Sequence, residues 1–380
     1  MEIFLCGVYK GTITGQMQTL FAVRDSLKDH FNITEIKLPR NGFNFFYESF
    51  IYFYQILRIL LSLLLFKRET LFYLVIHRSR ISFWLRDFPI YFLNSFFKTK
   101  FICHLVGSDL ITFLDNTNEL EKLLLRKFFS NVSCWVLLGN NMKKQVETVY
   151  ENLEIQNSSK CFSQGKLNYE IISGFSKNEI PFSEKDLGEK IHNFKGEIIV
   201  GYLSNFIEEK GISEFIEAVI DLKEKHNLDI NAWFAGTNVG NLSEKVSTAI
   251  ASSKGKDFIE KLEPIFGLEK GEKLKKTHIF VLPTYYKTEA LPLSLVEAMK
   301  FGCACISSDI GEIKGLLKDD RGVLLEKVTK EEVAKAILNM TKDLNKTKNM
   351  MMNSYRFVDE KFSYPYYKER IKNLVNKSIG

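Results

Sequence analysis

The amino-acid sequence predicts an α/β protein made of two successive doubly wound parallel sheets. Short apolar runs of strand length alternate with amphipathic segments of helix length along nearly the whole chain. That is the pattern of parallel strands joined by helical crossovers. The alternation runs once, breaks at a polar stretch, and runs again over a similar length. A chain of 380 residues holds two domains of ordinary size, and with 45% hydrophobic and 26% charged residues it is neither disordered nor fibrous.

In the first series the strands are expected at Glu2–Val8, Ile33–Leu38, Leu71–Ile76, Phe101–Val106, Cys134–Leu138 and Tyr169–Ile172, each an apolar run short enough for a buried strand. The segment Ile180–Lys195 (IPFSEKDLGEKIHNFK) is polar, lacks a clear period and reads as a linker. The second series places strands at Glu197–Leu203, Ile230–Ala235, Phe258–Leu262, His278–Leu282, Ala304–Ser307 and Gly322–Leu325. Its helices are expected at Ile212–His226, Ser243–Ser253, Leu291–Phe301 and Lys330–Asp343, and a last helix at Ser363–Ser378 follows a Pro-containing turn. Residues 1–178 would form one domain, 179–195 the linker and 196–362 the second domain, with 363–380 packing back on the first. Open α/β sheets bind ligands beyond the carboxyl ends of their strands, so two such sheets suit an enzyme that joins two substrates.

The net charge of +6 is not spread evenly: residues 1–100 hold thirteen Lys/Arg against seven Asp/Glu, and the remainder balances. Eighteen aromatic residues fall within 43–97. The stretch Phe45–Phe66 is long enough to span a bilayer, but Glu48, Gln55 and Arg58 interrupt it, which favours a buried or surface-lying helix. Nucleic-acid binding is disfavoured, because the basic residues are interleaved with long apolar runs. The six cysteines form no CxxC and sit in apolar settings, so they read as buried thiols in a reducing, cytoplasmic setting, with no metal site. The N-terminus, MEIFLCGVYKG, has no basic n-region and reads as a first strand.

The segment His278–Gly302, HIFVLPTYYKTEALPLSLVEAMKFG, carries the most chemistry. It reads as strand, loop and helix, with Pro292 in the first helical turn, where proline is tolerated. The amides of Ala290, Leu291 and Leu293 would then be free near a helix N-terminus, a site for an anion such as phosphate. Glu289 stands just before the helix and Glu297 about two turns inside it. Carboxylates there can accept hydrogen bonds from sugar hydroxyls. On their own, two glutamates at this spacing read as a helix-start acid and a solvated face residue, since such a pair is common.

The surroundings decide between these readings. VLPTYYKTEALPLSLVEAMKFGCACISSDIGEI resembles the donor-site signature of retaining glycosyltransferases of the GT-B architecture, glycosyltransferase family 4 (group 1), and the resemblance covers residues 197–342. IIVGYLSNFIEEKGISEFIEAV is similar to that family's strand, loop and Lys-Gly helix start. WFAGT, with Gly236, is similar to its small-residue turn, and IFGLEKGEKLKK, with Gly267, to its nucleobase-side loop. The first half matches less closely. GVYKGTITGQMQTL resembles the family's acceptor-side glycine loop, FICHLVGSDL its strand and turn, and ISGFSKNEI its entry to the linker.

The resemblance implies two Rossmann-like domains facing each other across a cleft. It implies that Glu289 binds the hydroxyls of a donor sugar, Glu297 the ribose of the nucleotide, and the Ala290–Leu293 turn the diphosphate or sugar. Lys210 would neutralise charge that builds on the departing diphosphate. Gly11, Thr12, Gly15, Gln16, Gly107, Ser108 and Asp109 would form the acceptor-side loops. No cofactor and no metal is implied; the nucleoside-diphosphate sugar, UDP-linked by default, is a co-substrate.

The sequence departs from the pattern twice. The family's usual Arg before Lys210 is absent, with Tyr202 or Asn205 at the corresponding place. The cleft histidine is displaced to His104, two residues before Val106, where it faces the cleft or is a core strand residue; both readings stay open. The expected function is sugar transfer to a saccharide or lipid-linked saccharide acceptor, in bacterial surface polysaccharide or glycolipid assembly. A sugar-nucleotide epimerase and a non-catalytic scaffold on the same architecture remain as alternatives. Phe83, Trp84, Phe88, Tyr91 and Phe92, beside Arg58, Lys67, Arg68, Arg78, Arg80 and Arg86, would rest on an anionic membrane at its inner face.

Overall fold

The computed structural model describes residues 2–7, 15–37, 50, 52–57, 60, 70–76, 83–84, 88–97, 99–156, 162–163, 166–176, 180–194, 196–239, 242–251 and 253–379. They divide into two units, Met1–Gly174 with Pro365–Gly380, and Phe175–Tyr364.

The first unit holds β1 (Glu2–Gly7), β2 (Asn32–Lys37), β3 (Thr70–Val75), β4 (Lys100–His104), β5 (Cys134–Leu137), a small hairpin of β6 (Phe162–Ser163) and β7 (Lys166–Leu167), and β8 (Tyr169–Ile171). Six of these form a sheet in the order β2-β1-β3-β4-β5-β8, parallel throughout. Every residue of β3 is buried, as expected for a central parallel strand covered on both faces. The helix Asn140–Asn152 brings Tyr150 into the core, where its hydroxyl accepts from Trp135 Nε1 at 2.7 Å and donates to the Phe129 carbonyl at 2.8 Å. The helix Tyr364–Ile379 is tied to the same sheet: Arg370 donates to the Glu170 carboxylate and to the Ile171 carbonyl, both at 3.1 Å.

Among the described aromatic residues of 43–97, Tyr52, Phe72, Tyr73, Phe83 and Tyr91 are buried, which corrects the expected membrane-facing set at Phe83 and Tyr91. Phe83 and Tyr91 are buried, each with its ring centroid within 5.2 Å of that of Phe128. Trp84 and Phe88 are half-buried against each other, and only Phe92 is exposed. Phe101 at β4 and Phe128 and Phe129 in the helix Glu119–Ser130 make an aromatic surface that draws these rings inward. Arg58, Lys67, Arg68, Arg78, Arg80 and Arg86 lie outside the described residues, as does most of Phe45–Phe66. Phe50, Phe53, Tyr54 and Leu57, earlier in this stretch, are also exposed. No helix among the described residues is long and apolar enough to cross a membrane.

The second unit holds β9 (Ile198–Leu203), β10 (Ile230–Ala235), β11 (Ile259–Leu262), β12 (Ile279–Leu282), β13 (Ala304–Ser308) and β14 (Gly322–Leu325). Their order is β11-β10-β9-β12-β13-β14, again all parallel. Sequence order reverses between β9 and β12, and such a switch point is where loops part to leave a ligand crevice.

The expected linker is not one. Glu184–Asn193 is a helix of this unit, opened by a capping box in which Ser183 and Asp186 bond each other's backbone amides. Phe182, Leu187 and Phe194 enter the core, and Ile191 packs against it. Lys190 is buried and donates to the last carbonyls of two helices, Leu274 O at 3.1 Å and Phe301 O at 2.7 Å. A second helix absent from the sequence reading, Leu344–Lys361, buries Met350, Met351, Tyr355 and Val358 and backs the helix Leu293–Lys300.

Candidate active site

Three loops meet at the carboxyl ends of the strands around the β9/β12 switch point. The loop after β9 runs from Ser204 to a 3₁₀ turn, Glu208–Lys210, closed by Gly211 in the left-handed region (φ 75°). A Cβ on Gly211 would lie 2.0 Å from the Pro283 carbonyl oxygen, so only glycine lets this loop press against the end of β12. The Glu209 carbonyl accepts from the Tyr285 amide at 2.7 Å and from the Thr284 hydroxyl at 3.2 Å, joining the two loops. The loop after β13 arrives through Gly311 (φ 57°), whose Cβ would lie 2.4 Å from the carbonyl oxygens of both Glu289 and Ala290. The Glu312 amide donates to Ala290 O at 2.7 Å.

This bracing holds two charged side chains together. The Lys210 ammonium is ion-paired with Glu289 Oε2, with only 12% and 10% of the two side chains exposed. The ammonium also lies 4.6 Å from the centroid of the Tyr286 ring. Tyr202 donates to the Lys210 carbonyl at 3.3 Å, and burial pushes its phenol pKa upward. Tyr202 is therefore a core residue. Asn205, the other residue at the place of the absent Arg, is exposed, and its carbonyl accepts from the Ile207 amide.

The helix after β12 begins two residues later than expected, at Leu293, with Pro292 as its N-cap in extended conformation (φ −72°, ψ 112°). Pro292 leaves the helix because its carbonyl accepts the first helical bonds, from Leu295 and Val296, while its own ψ stays extended. Ala290 and Leu291 thus belong to the loop, and Glu297 lies about one turn inside the helix rather than two. Glu297 Oε1 accepts from Lys270 Nζ at 2.6 Å. Lys270 lies in the first turn of the helix Gly267–Lys276, which opens with Gly267 at φ 54° between the exposed Phe266 and Leu268. Gly236 acts through packing, since a Cβ there would fall 1.7 Å from the Ser204 carbonyl oxygen. Lys270, Tyr286 and Gly311 have no place in the sequence reading. Gly311 carried a signal in SSDIGEI; Lys270 carried none.

In the first unit, His104 ends β4 with no exposed surface. Its Nδ1 is 2.9 Å from the Tyr73 hydroxyl on β3, and burial pushes its pKa down to about 3. Nε2 has no hydrogen-bond partner among the described residues. This is the setting of a neutral core histidine, one of the two readings the sequence left open. Gly107 is buried, Ser108 is half-buried, and Asp109 precedes the helix Leu110–Asp115 without a side-chain cap bond. Gly15 and Gln16 open the helix Gly15–Leu27. Gly11 and Thr12 lie outside the described residues. Among the described residues no group of three or more His, Cys, Asp or Glu is placed to hold a metal ion.

The two parallel sheets and their switch points define the GT-B glycosyltransferase fold, and solved structures with that fold overlay the whole chain. A Rickettsia africae glycosyltransferase is 14% identical with a TM-score of 0.73, covering 100% of this chain and 98% of its own. Anabaena HepE in complex with UDP is 12% identical with a TM-score of 0.71, covering 99% of each chain. The sucrose-phosphate synthase of Thermosynechococcus elongatus is 14% identical with a TM-score of 0.69, covering 99% of this chain and 98% of its own. Residues 184–357 match the family model "Glycosyl transferases group 1". A curated relative, an uncharacterized glycosyltransferase of Methanocaldococcus jannaschii, is 26% identical over 202 residues, 51% of this chain and 49% of the relative. The match thus spans about half the length of that relative.

Proposed function

We propose that the protein is a retaining glycosyltransferase that moves a sugar from a UDP-sugar to a saccharide or lipid-linked saccharide acceptor, without a metal ion. The observation that carries this reading is the buried Lys210–Glu289 pair, set beside the start of the Leu293–Lys300 helix at the switch point. Glu289 would accept hydrogen bonds from the sugar hydroxyls. The Lys210 ammonium would then turn to the diphosphate and stabilise the charge that builds as the sugar leaves. The amides of the Ala290–Leu293 turn would add the positive end of the helix dipole, and Glu297 would take the ribose. HepE, similar in fold, has been crystallised with UDP and with UDP-glucose, which supports UDP as the nucleotide. The exposed stripe Phe50, Phe53, Tyr54 and Leu57 supports a peripheral membrane site where a lipid-linked acceptor, such as a surface polysaccharide or glycolipid precursor, would be met.

The test is incubation of purified protein with a panel of UDP- and GDP-sugars, read by mass spectrometry and by NMR of the anomeric proton. Slow release of the sugar with its configuration kept, and its loss in Glu289→Ala, is the expected result. An epimerised nucleotide sugar formed without acceptor would establish the epimerase instead, and binding of a nucleotide without turnover would establish the scaffold.

A further inference from the structure

The second ion pair of the site joins two helices, and the transfer chemistry does not by itself call for it. Lys270 comes from the helix Gly267–Lys276 and Glu297 from Leu293–Lys300. Their charged atoms are 2.6 Å apart, with 24% and 19% of the side chains exposed. A glutamate has three side-chain torsions, and an ammonium held against one oxygen narrows the orientations open to the other. A carboxylate offers about four lone-pair directions. With Oε1 taken by Lys270, Oε2 accepts no hydrogen bond among the described residues. It is an oriented, partly desolvated acceptor about one turn into the helix that starts at Leu293.

We propose that Lys270 is a specificity-determining positioning residue: by holding Oε1 it aims Glu297 Oε2 at a ribose hydroxyl, so that the site selects a ribonucleotide over its deoxy counterpart. The inference rests on the nucleoside-diphosphate reading above. A deoxy ligand leaves the aimed carboxylate oxygen without its donor, and a site built to hydrogen-bond a hydroxyl rejects the analogue that lacks it. A mere staple between the two helices would do something different: its loss would weaken all nucleotides alike.

The experiment is calorimetric titration of UDP, 2′-deoxy-UDP and 3′-deoxy-UDP into wild type, Lys270→Met and Lys270→Arg, with the fold of each checked by circular dichroism. Wild type is expected to bind UDP about tenfold or more tighter than one of the deoxy forms. In Lys270→Met that ratio falls towards one, through loss of UDP affinity, with the deoxy affinity little changed. Lys270→Arg restores most of the ratio. A Lys270→Met protein that keeps the wild-type ratio, or that loses affinity for all three by the same factor, overturns the proposal while leaving the nucleotide reading standing. Wild type that binds none of the three overturns both.

Discussion

Gly311→Ala tests the claim that backbone packing alone places Glu289. Gly311 makes no proposed contact with substrate. Its left-handed φ of 57° costs a residue with a Cβ about 1–2 kcal/mol. The larger effect is steric, because the new Cβ would lie 2.4 Å from the carbonyl oxygens of Glu289 and Ala290. Ordinary contact begins near 3.4 Å, so the 289–290 backbone must withdraw by about 1 Å, a displacement that in an active site costs about 100-fold in rate. The expected result is a fall of about 100-fold in donor-dependent turnover, about 2.7 kcal/mol of transition-state stabilisation, and a modest drop in the urea midpoint. Gly188→Ala is the control: nothing lies within 4 Å of its Cβ in the helix Glu184–Asn193, and the change should raise stability by about 0.5–1 kcal/mol. Turnover within twofold of wild type in Gly311→Ala, with the midpoint unchanged, would refute the reasoning.

Lys190→Met takes the ammonium from the buried Phe301 carbonyl, while the Leu274 carbonyl keeps the Thr277 amide, and should lower the free energy of unfolding by about 1–3 kcal/mol, the cost of leaving a buried acceptor unpaired; an unchanged urea midpoint would show that the ammonium is dispensable. Burial holds His104 and His278 neutral in the folded chain, with pKa values pushed down to about 3 and about 4 from 6.5. The unfolded chain therefore binds more protons below pH 6.5, and stability falls as pH drops from 6.5 towards those values, by up to about 1.4 kcal/mol per pH unit per histidine. Urea titrations at pH 7 and pH 5 on wild type and on the paired Tyr73→Phe, His104→Phe variant check this; the variant should lose one histidine's share of the slope. Wild type should sediment with anionic vesicles at low salt, and the combined change Phe50→Ser, Phe53→Ser and Leu57→Ser should leave it in the supernatant; wild type that stays soluble counts against the membrane reading.

The strands of the second unit were legible nearly to the residue, because each is a compact apolar run bounded by polar or turn residues, as at Ile230–Ala235 and Gly322–Leu325. The helix Glu184–Asn193 was not, because Leu187 and Ile191 are its only large apolar residues among polar neighbours and the core finds the rest in Phe182 and Phe194, outside the helix. Leu344–Lys361 hid behind a Met- and Asn-rich composition in which no sharp apolar stripe stands out. Phe83 and Tyr91 were misread, since composition cannot tell a ring that packs on Phe128 from one that meets a membrane. At the site, Lys210 and Glu289 were legible because each stands beside the glycine, proline or helix start that positions it. The Lys270–Glu297 pair was not, because 27 residues and two helices separate its members. The burial of His104 was hidden because strands of a parallel sheet covered on both faces lose the alternation that marks an inward from an outward side chain.

The central claim is that the Lys210–Glu289 site holds a nucleoside-diphosphate sugar, and calorimetric titration of UDP and UDP-sugars into wild type and Lys210→Ala tests it most directly. Saturable binding to wild type, weakened about tenfold or more in Lys210→Ala for the diphosphate but little for uridine, is the predicted result. Equal UDP affinity in the two proteins, or no binding of any nucleoside diphosphate to wild type, would contradict it.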